Sequence, residues 1–177
     1  SRQLTTQKPI NSVKDIKGLK IRVPEIPAMV DAWKAMGANP TPMAWGEVYS
    51  ALSQGVVDAQ EHPYPFIYAG RIHEVTKYIA ETNHKYEYIG LIMSEKTYQK
   101  LTPEQQKAIE EAAAEATEYE NKLVNEQANE FLQKMVDAGI KVTHPNIEEF
   151  AKLARTTHAK YAEECGKDIY DQIINTK

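Results

Sequence analysis

From Pro42 to Pro63 the chain reads P-M-A-W-G-E-V-Y-S-A-L-S-Q-G-V-V-D-A-Q-E-H-P. This run spells a short helix, a glycine stop, a brief strand and a polar turn. The helix is Trp45 to Gln54, with Val48 and Leu52 four apart on one face. Gly55 suits the left-handed stop position. Val56 to Ala59, led by two β-branched residues, reads as a short buried strand. Asp58, Gln60, Glu61 and His62 crowd its mouth, where open α/β sheets hold small ligands. A second strand-like run, Leu19-Lys20-Ile21-Arg22-Val23-Pro24, carries a basic residue near its end. The rest of the chain reads as scaffold holding Arg22 near Trp45 and His62.

Reading outward, residues 1–8 alternate loosely as a strand. Ser12 is a fitting N-cap for one helical turn at Val13-Lys14-Asp15-Ile16. In Leu19 to Val23, Leu19, Ile21 and Val23 share one side, so Arg22 faces the other. Pro24 ends that ladder. Pro27 to Met36 is a helix stopped by Gly37. Asn39-Pro40-Thr41-Pro42 is extended, because a residue before proline avoids the α region. A helix from about Phe66 to Val75 precedes strands at Lys77–Glu81 and Tyr86–Met93. Alternating short strands and helices predict an α/β fold with a mainly parallel sheet.

The second half is helical. Ser94 to Leu101 is a short helix. Thr102-Pro103-Glu104-Gln105 is a capping box with proline at the first position. It opens a helix reaching about Ala138, some 35 residues and therefore ~50 Å. A compact chain of this size has a radius of gyration of only ~16 Å. Such a helix must kink, bridge two lobes or cover a partner. Ile140 to Thr143 is a strand. A last helix after Asn146 carries Phe150, Leu153, Thr157, Tyr161, Cys165, Ile169 and Ile173 on one stripe, which predicts a buried, unreactive Cys165.

Bulk properties narrow the function classes. The 177 residues carry 42% hydrophobic and 26% charged residues, ordinary for a soluble protein. A net charge of −4, without a Lys/Arg cluster, argues against a nucleic-acid surface. No apolar run approaches the ~18 residues of a membrane span. One cysteine excludes an internal disulfide and a cysteine-based zinc site. The start at Ser1, within a strand-like run, reads as a processed protein or a fragment.

Arg22 has the planar donor fork that captures a carboxylate in bidentate fashion, or it forms a surface ion pair. Trp45 stacks on a ligand face or sits in the core. His62, held extended by Pro63, is a ligand donor, a metal ligand or a turn histidine. Asp58, Glu61 and His62 lie close enough in sequence for a cation site, although no metal-binding spacing fits them. Nucleophile-elbow, P-loop, zinc-helix and dinucleotide motifs are missing. Three readings follow: a small-molecule receptor, a small enzyme acting on an acidic sugar with His62 and Glu61 as acid/base pair, or a ligand-free interaction module docking through the long helix.

The runs Asp15–Pro24, Gly37–Tyr49 and Gln54–Pro63, with Arg2-Gln3, Pro9-Ile10, Thr82-Asn83-His84 and Lys141–Pro145, resemble the DctP-type substrate-binding proteins of TRAP transporters. The sialic-acid and sugar-acid binders are among the nearer relatives. The resemblance covers essentially the whole chain. It implies a periplasmic-binding-protein-like α/β lobe with a mainly parallel sheet, a very long helix and a C-terminal helix. It implies a non-enzymatic, cofactor-free and metal-free receptor that hands a small organic acid to a membrane permease. The place it implies is the periplasm, either free or lipid-anchored. Arg22 is implied as the arginine that pairs with the ligand carboxylate and Arg2 as a second basic contact. Trp45 is implied as the aromatic wall. His62 stands where Asn is common. Glu25 stands where sialic-acid binders have Asn and would repel a second carboxylate. Both departures count against assuming sialic acid; within the class of hydroxylated monocarboxylates (uronate, aldonate or sialic acid) they favour a uronate or aldonate.

The resemblance further implies that residues 1–88 form the second lobe of a two-lobed protein. Residues 89–127 would cross toward an absent first lobe, and residues 128–177 would return. Exposed apolar surface is then expected, open to a second copy of the chain as a homodimer.

Overall fold

A computed structural model describes residues 1–86 and 88–176. Six strands form one sheet in the order β3-β2-β4-β1-β5-β6. They are β1 (Gln3–Thr6), β2 (Lys20–Val23), β3 (Asn39–Pro42), β4 (Ala59–His62), β5 (Tyr78–Ala80) and β6 (Lys141–Thr143). β2 pairs in parallel with β3 and β4, and β5 in parallel with β6. β1 runs antiparallel to both β4 and β5. Five strands therefore end at one rim of the sheet, and the start of β1 joins them there.

Side chains alternate across the sheet and paired residues share a face. Ile21 pairs with Ala59 and Leu4 with Glu61 and Ala80, which defines one face. Its core joins Leu4, Ile21, Val23 and Ala80 to Trp33 of α1 (Pro27–Ala35) and Phe150 of α6 (Ile147–Ala154). Arg22 pairs with Gln60, and Gln60 and Ile79 both pair with Thr5, which defines the other face. There Ile79 packs with Val48 and Leu52 of α2 (Val48–Ser53), Ile67 of α3 (Tyr64–Ala69) and Met135. Truncating a side chain as fully buried as Phe150 costs ~3–5 kcal/mol.

The expected strand at Val56–Ala59 lies further on, at Ala59–His62. Val56 is 54% exposed, in the turn behind Gly55 at φ +70°. Three of the polar residues expected in a turn, Gln60, Glu61 and His62, lie in the strand itself, where Gln60 and Glu61 find buried partners. Gln60 Nε2 donates to Thr5 Oγ1 at 2.8 Å, and Glu61 is held by Arg2 and His84. Buried polarity is tolerated in a central strand once it is paired. The helix expected over Trp45–Gln54 starts as a 3-10 turn, Trp45–Glu47, before α2. That expected over Phe66–Val75 ends at Ala69, and Arg71 at φ +57° separates it from a 3-10 turn at Ile72–Glu74.

Two further expectations are corrected. Residues 88–93 form no strand among the described residues; Glu87 lies outside them. Tyr88 and Ile92 are 92% and 91% exposed, with Ile89 and Leu91 also open to solvent. The single C-terminal helix is instead three: α6, α7 (His158–Cys165) and α8 (Lys167–Asn175). Thr156 and Thr157 donate back to the carbonyls of Leu153 and Ala154, and Gly166 breaks the run at φ +102°. Cys165 falls at that break and is exposed, not buried.

Between these parts come α4 (Glu95–Tyr98) and α5 (Pro103–Asp137), an unbroken 35-residue helix. Its capping box is formed: Gln105 N donates to Thr102 Oγ1 and Thr102 N to Gln105 Oε1. Met135 is its one buried residue, with Ala128, Phe131 and Leu132 packed against the second core. Most of its residues before Ala128 are exposed. Among the described residues, no helix is long and apolar enough to cross a membrane.

Candidate functional site

The strand ends Val23, Pro42, His62, Ala80 and Thr143 share one rim with Gln3 at the start of β1. In an open α/β sheet that rim is where ligands sit. Arg22 is the penultimate residue of β2 and only 4% exposed. Its Nε and Nη2 donate to the carbonyl oxygen of Met43 at 2.9 and 2.7 Å. Among the described residues no hydrogen bond uses its Nη1. Its guanidinium carbon lies 5.6 Å from the centroid of the Trp45 ring. Trp45 meets His62 edge-on, with centroids 4.6 Å apart, and His62 lies 4.6 Å from Phe66. The structure thus brings Arg22, Trp45 and His62 together, on the face that carries Gln60.

Local sequence explains each placement. Met43 N bonds to Val23 O just past the parallel β2–β3 pair, so the Met43 carbonyl faces the end of β2. Trp45 opens the 3-10 turn that leads into α2. It packs against Gly70, where an added Cβ would lie 2.7 Å from Trp45 Cζ2. Glycine at this position is what gives the indole its room.

Arg2 sits across the rim, buried against Glu61 on the opposite face. Its Nη2 donates to Glu61 Oε1 at 2.7 Å and to the Glu61 carbonyl at 2.9 Å, and its Nε donates to Glu61 Oε2. Glu61 is fully buried. His84 Nε2 reaches Glu61 Oε2 at 3.0 Å, and His84 Nδ1 reaches Thr82 Oγ1 at 2.7 Å. The His84 ring stands edge-on to Trp33 at 5.1 Å. Gln3 ties down this loop through Asn83, which takes φ +41°. Glu25, past the end of β2, is exposed.

Burial lowers the Arg22 guanidinium from its ordinary value; the Glu61 charge works against that and the Arg2 charge adds to it. Burial alone pushes the Glu61 carboxyl up, but hydrogen bonds from His84 and Arg2 outweigh it and hold Glu61 below the usual carboxylate range. Glu61 and His62 project to opposite faces of β4, so they do not face each other as an acid/base pair. Among the described residues, no cluster of three His, Cys, Asp or Glu side chains is placed to hold a metal ion. A separate, mainly apolar groove of about 490 Å3 lies between α1, α7 and α8. Met29, Trp33, Tyr161, Cys165 and Ile173 line it, and it contains neither Arg22 nor His62.

The Glu61–His84 part of the network escaped the sequence reading. No spacing links positions 59 and 23 residues apart, and Glu61 looked like a turn residue. The one available signal was a charged residue flanked by strand-forming sequence, which demands a buried counter-charge.

Fold and site together are those of an α/β lobe presenting a buried guanidinium and an aromatic wall at the carboxyl ends of its strands. The chain belongs to the DctP family, the bacterial extracellular solute-binding proteins of family 7, whose model matches residues 1–164. It is 45% identical over 129 residues to the solute-binding protein RD1_1052 of Roseobacter denitrificans, covering 73% of this chain and 40% of that protein. The crystal structure of that protein with bound L-galactonate superposes with a TM-score of 0.80 at 39% identity, over 88% of this chain and 52% of the other. The sialic acid-binding periplasmic protein SiaP of Vibrio cholerae is 34% identical over 98% of this chain and 54% of its own length. A TRAP periplasmic solute-binding protein from Pseudomonas putida F1 with bound D-glucuronate gives a TM-score of 0.87 at 32% identity, over 100% of this chain and 57% of the other. The chain spans about half the length of the curated relatives it matches.

Proposed function

We propose that these residues form the ligand-selecting lobe of a TRAP-type solute receptor for a hydroxylated monocarboxylate, a uronate or aldonate above all. The observation that carries this reading is Arg22, buried at a strand end beneath Trp45 with Nη1 turned to no acceptor among the described residues. A carboxylate accepting from Nη1 gains a charge-assisted hydrogen bond worth ~1.5–3 kcal/mol. Trp45 and His62 supply a ring face and a polar tip for the sugar carbons and hydroxyls. Arg2 adds a second donor at the rim, and Glu25 guards the mouth against a further carboxylate. The relatives' bound L-galactonate and D-glucuronate are acids of this kind.

In this reading residues 1–88 are one lobe, residues 89–127 cross to a first lobe outside the chain, and residues 128–177 return. Support comes from α5, whose Ala128, Phe131, Leu132 and Met135 pack on the second core while most of its residues before them are exposed, and from the exposed apolar run before it. The two lobes close on the acid like a hinge, in the periplasm, and the loaded receptor docks on a membrane permease. A homodimer through the same apolar surface is the alternative cover for it.

Calorimetric titration of the full-length protein with a sugar-acid panel tests the reading. Saturable binding of at least one monocarboxylate supports it. A folded protein that binds none, or that turns a uronate over, overturns it.

A further inference from the structure

We propose that Glu61 sets the charge selectivity of the receptor: by neutralising Arg2 it leaves Arg22, among the described residues, as the cation of the strand ends without a carboxylate partner, so the cleft takes sugar acids with one carboxylate and rejects those with two. This inference rests on the receptor reading above.

The two arginines are not equivalent. The Arg2 fork meets the Glu61 carboxylate in bidentate fashion, and its Nη2 also donates to the Glu61 carbonyl. Arg22 has no carboxylate partner among the described residues; it donates to a neutral carbonyl. Glu61 is locked in this arrangement. It is fully buried, and the oxygen that Arg2 Nε reaches also meets His84 Nε2 at 3.0 Å. His84 is fixed in turn by Thr82 and by the Trp33 ring. The carboxylate therefore has no way to swing off Arg2 when an anion arrives. On Arg22 the Glu61 and Arg2 charges act with opposite sign, as expected of a compensated pair.

Among the described residues, Arg22, Arg2 and Glu61 together then offer one net positive charge. A ligand monoanion matches it. A dianion would place a second carboxylate in a partly desolvated cleft without a counter-ion, which is strongly unfavourable. The exposed Glu25 carboxylate at the mouth adds repulsion. A purely structural role for the Arg2–Glu61 pair, fastening β1 to β4, would move stability and all affinities together. It would leave the ratio between monoacid and diacid unchanged.

The test is calorimetry on the full-length protein at neutral pH, with acids paired by carbon number: galactonate against galactarate, glucuronate against glucarate, erythronate against tartrate. The wild type is expected to prefer the best monoacid over its diacid by about 100-fold or more. Glu61→Gln exposes the Arg2 charge and should narrow that ratio by about tenfold or more. The double variant Arg2→Met/Glu61→Gln returns the site to the Arg22 charge alone, and the wild-type ratio should reappear at lower absolute affinity. If Glu61→Gln does not fold, the wild-type ratio and the double variant, which buries no orphan charge, carry the test. A wild type that binds a diacid as tightly as the monoacid overturns the inference alone. So does a folded Glu61→Gln with an unchanged ratio, or a double variant without the wild-type ratio. A folded wild type that binds neither class overturns the receptor reading and the inference with it.

Discussion

Nε and Nη2 of Arg22 converge on one acceptor, the carbonyl oxygen of Met43, at 2.9 and 2.7 Å. That pair of bonds fixes the guanidinium plane before any ligand arrives. A pre-set fork loses less entropy per hydrogen bond than a flexible ammonium. Arg22→Lys keeps the charge but cannot bridge Met43 and present a donor outward. Sugar-acid affinity of the full-length protein should fall by about 100-fold, ~2.8 kcal/mol. Calorimetry reads this directly, with circular dichroism as the check on folding. Unchanged affinity would remove Arg22 from the centre of the site.

Trp45 owes its position to a missing side chain. A Cβ on Gly70 would lie 2.7 Å from Trp45 Cζ2 and 3.0 Å from the carbonyl of Phe66. The Gly70 backbone, at φ −78°, accepts any residue. Gly70→Ala therefore acts by overpacking alone, at ~1–3 kcal/mol. Trp45 should tilt off Arg22 and His62, shift its fluorescence and lower sugar-acid affinity by about tenfold. Trp33, buried against the opposite face, is the second fluorophore, so the comparison is made in a Trp33→Phe background. An unperturbed emission spectrum with full affinity would show that the indole is not positioned through Gly70.

The buried Arg2–Glu61 pair makes a sharp statement about stability. Removing one partner strands a buried charge, so Glu61→Ala should cost ~3–5 kcal/mol in urea unfolding. Arg2→Met/Glu61→Leu removes both charges and should cost far less. The pH dependence follows from the depressed Glu61 carboxyl. The unfolded carboxyl titrates near ~4.3, and the folded one below that. The stability that ionised Glu61 contributes is therefore complete above the unfolded value, and it is lost as pH falls through the folded one. Unfolding free energy measured from pH 7 to pH 3 should drop more steeply for the wild type than for the double variant. Parallel curves would mean that Glu61 does not drive the acid transition.

Periodicity made the strands at Lys20–Val23 and Tyr78–Ala80 legible, and capping chemistry the helix start at Thr102, because each rests on local chemistry within a few residues. Arg22 was legible as a residue turned from the Ile21/Val23 side. The resemblance pointed to Arg2, Trp45 and His62, and the structure gathers them at one rim. β4 lies three residues beyond the expected strand because Gln60 and Glu61 look solvated until Thr5, Arg2 and His84 arrive from distant parts of the chain. The helical stripe runs through Gly166 and hides the break there, and with it the exposure of Cys165. Tyr86–Met93 has strand composition without a strand to pair with among the described residues. Composition records a preference for burial; the partner that satisfies it lies elsewhere in sequence or outside it.

That last stretch carries its own prediction. Tyr88, Ile89, Leu91 and Ile92 stand in solvent together, just ahead of the exposed part of α5. A contiguous apolar run of this kind marks a surface meant to be covered. If a first lobe covers it, Leu91→Asp/Ile92→Asp should act with opposite sign in two settings. In the 177-residue chain it should reduce dye binding to exposed apolar surface and self-association in sedimentation. In the full-length protein it should destabilise, by ~1–3 kcal/mol for each apolar side chain denied its burial. A full-length protein indifferent to the substitution would mean that this surface is not a lobe contact. A 177-residue chain whose association the substitution abolishes would then point to the homodimer, since only a second copy would remain to explain the apolar run.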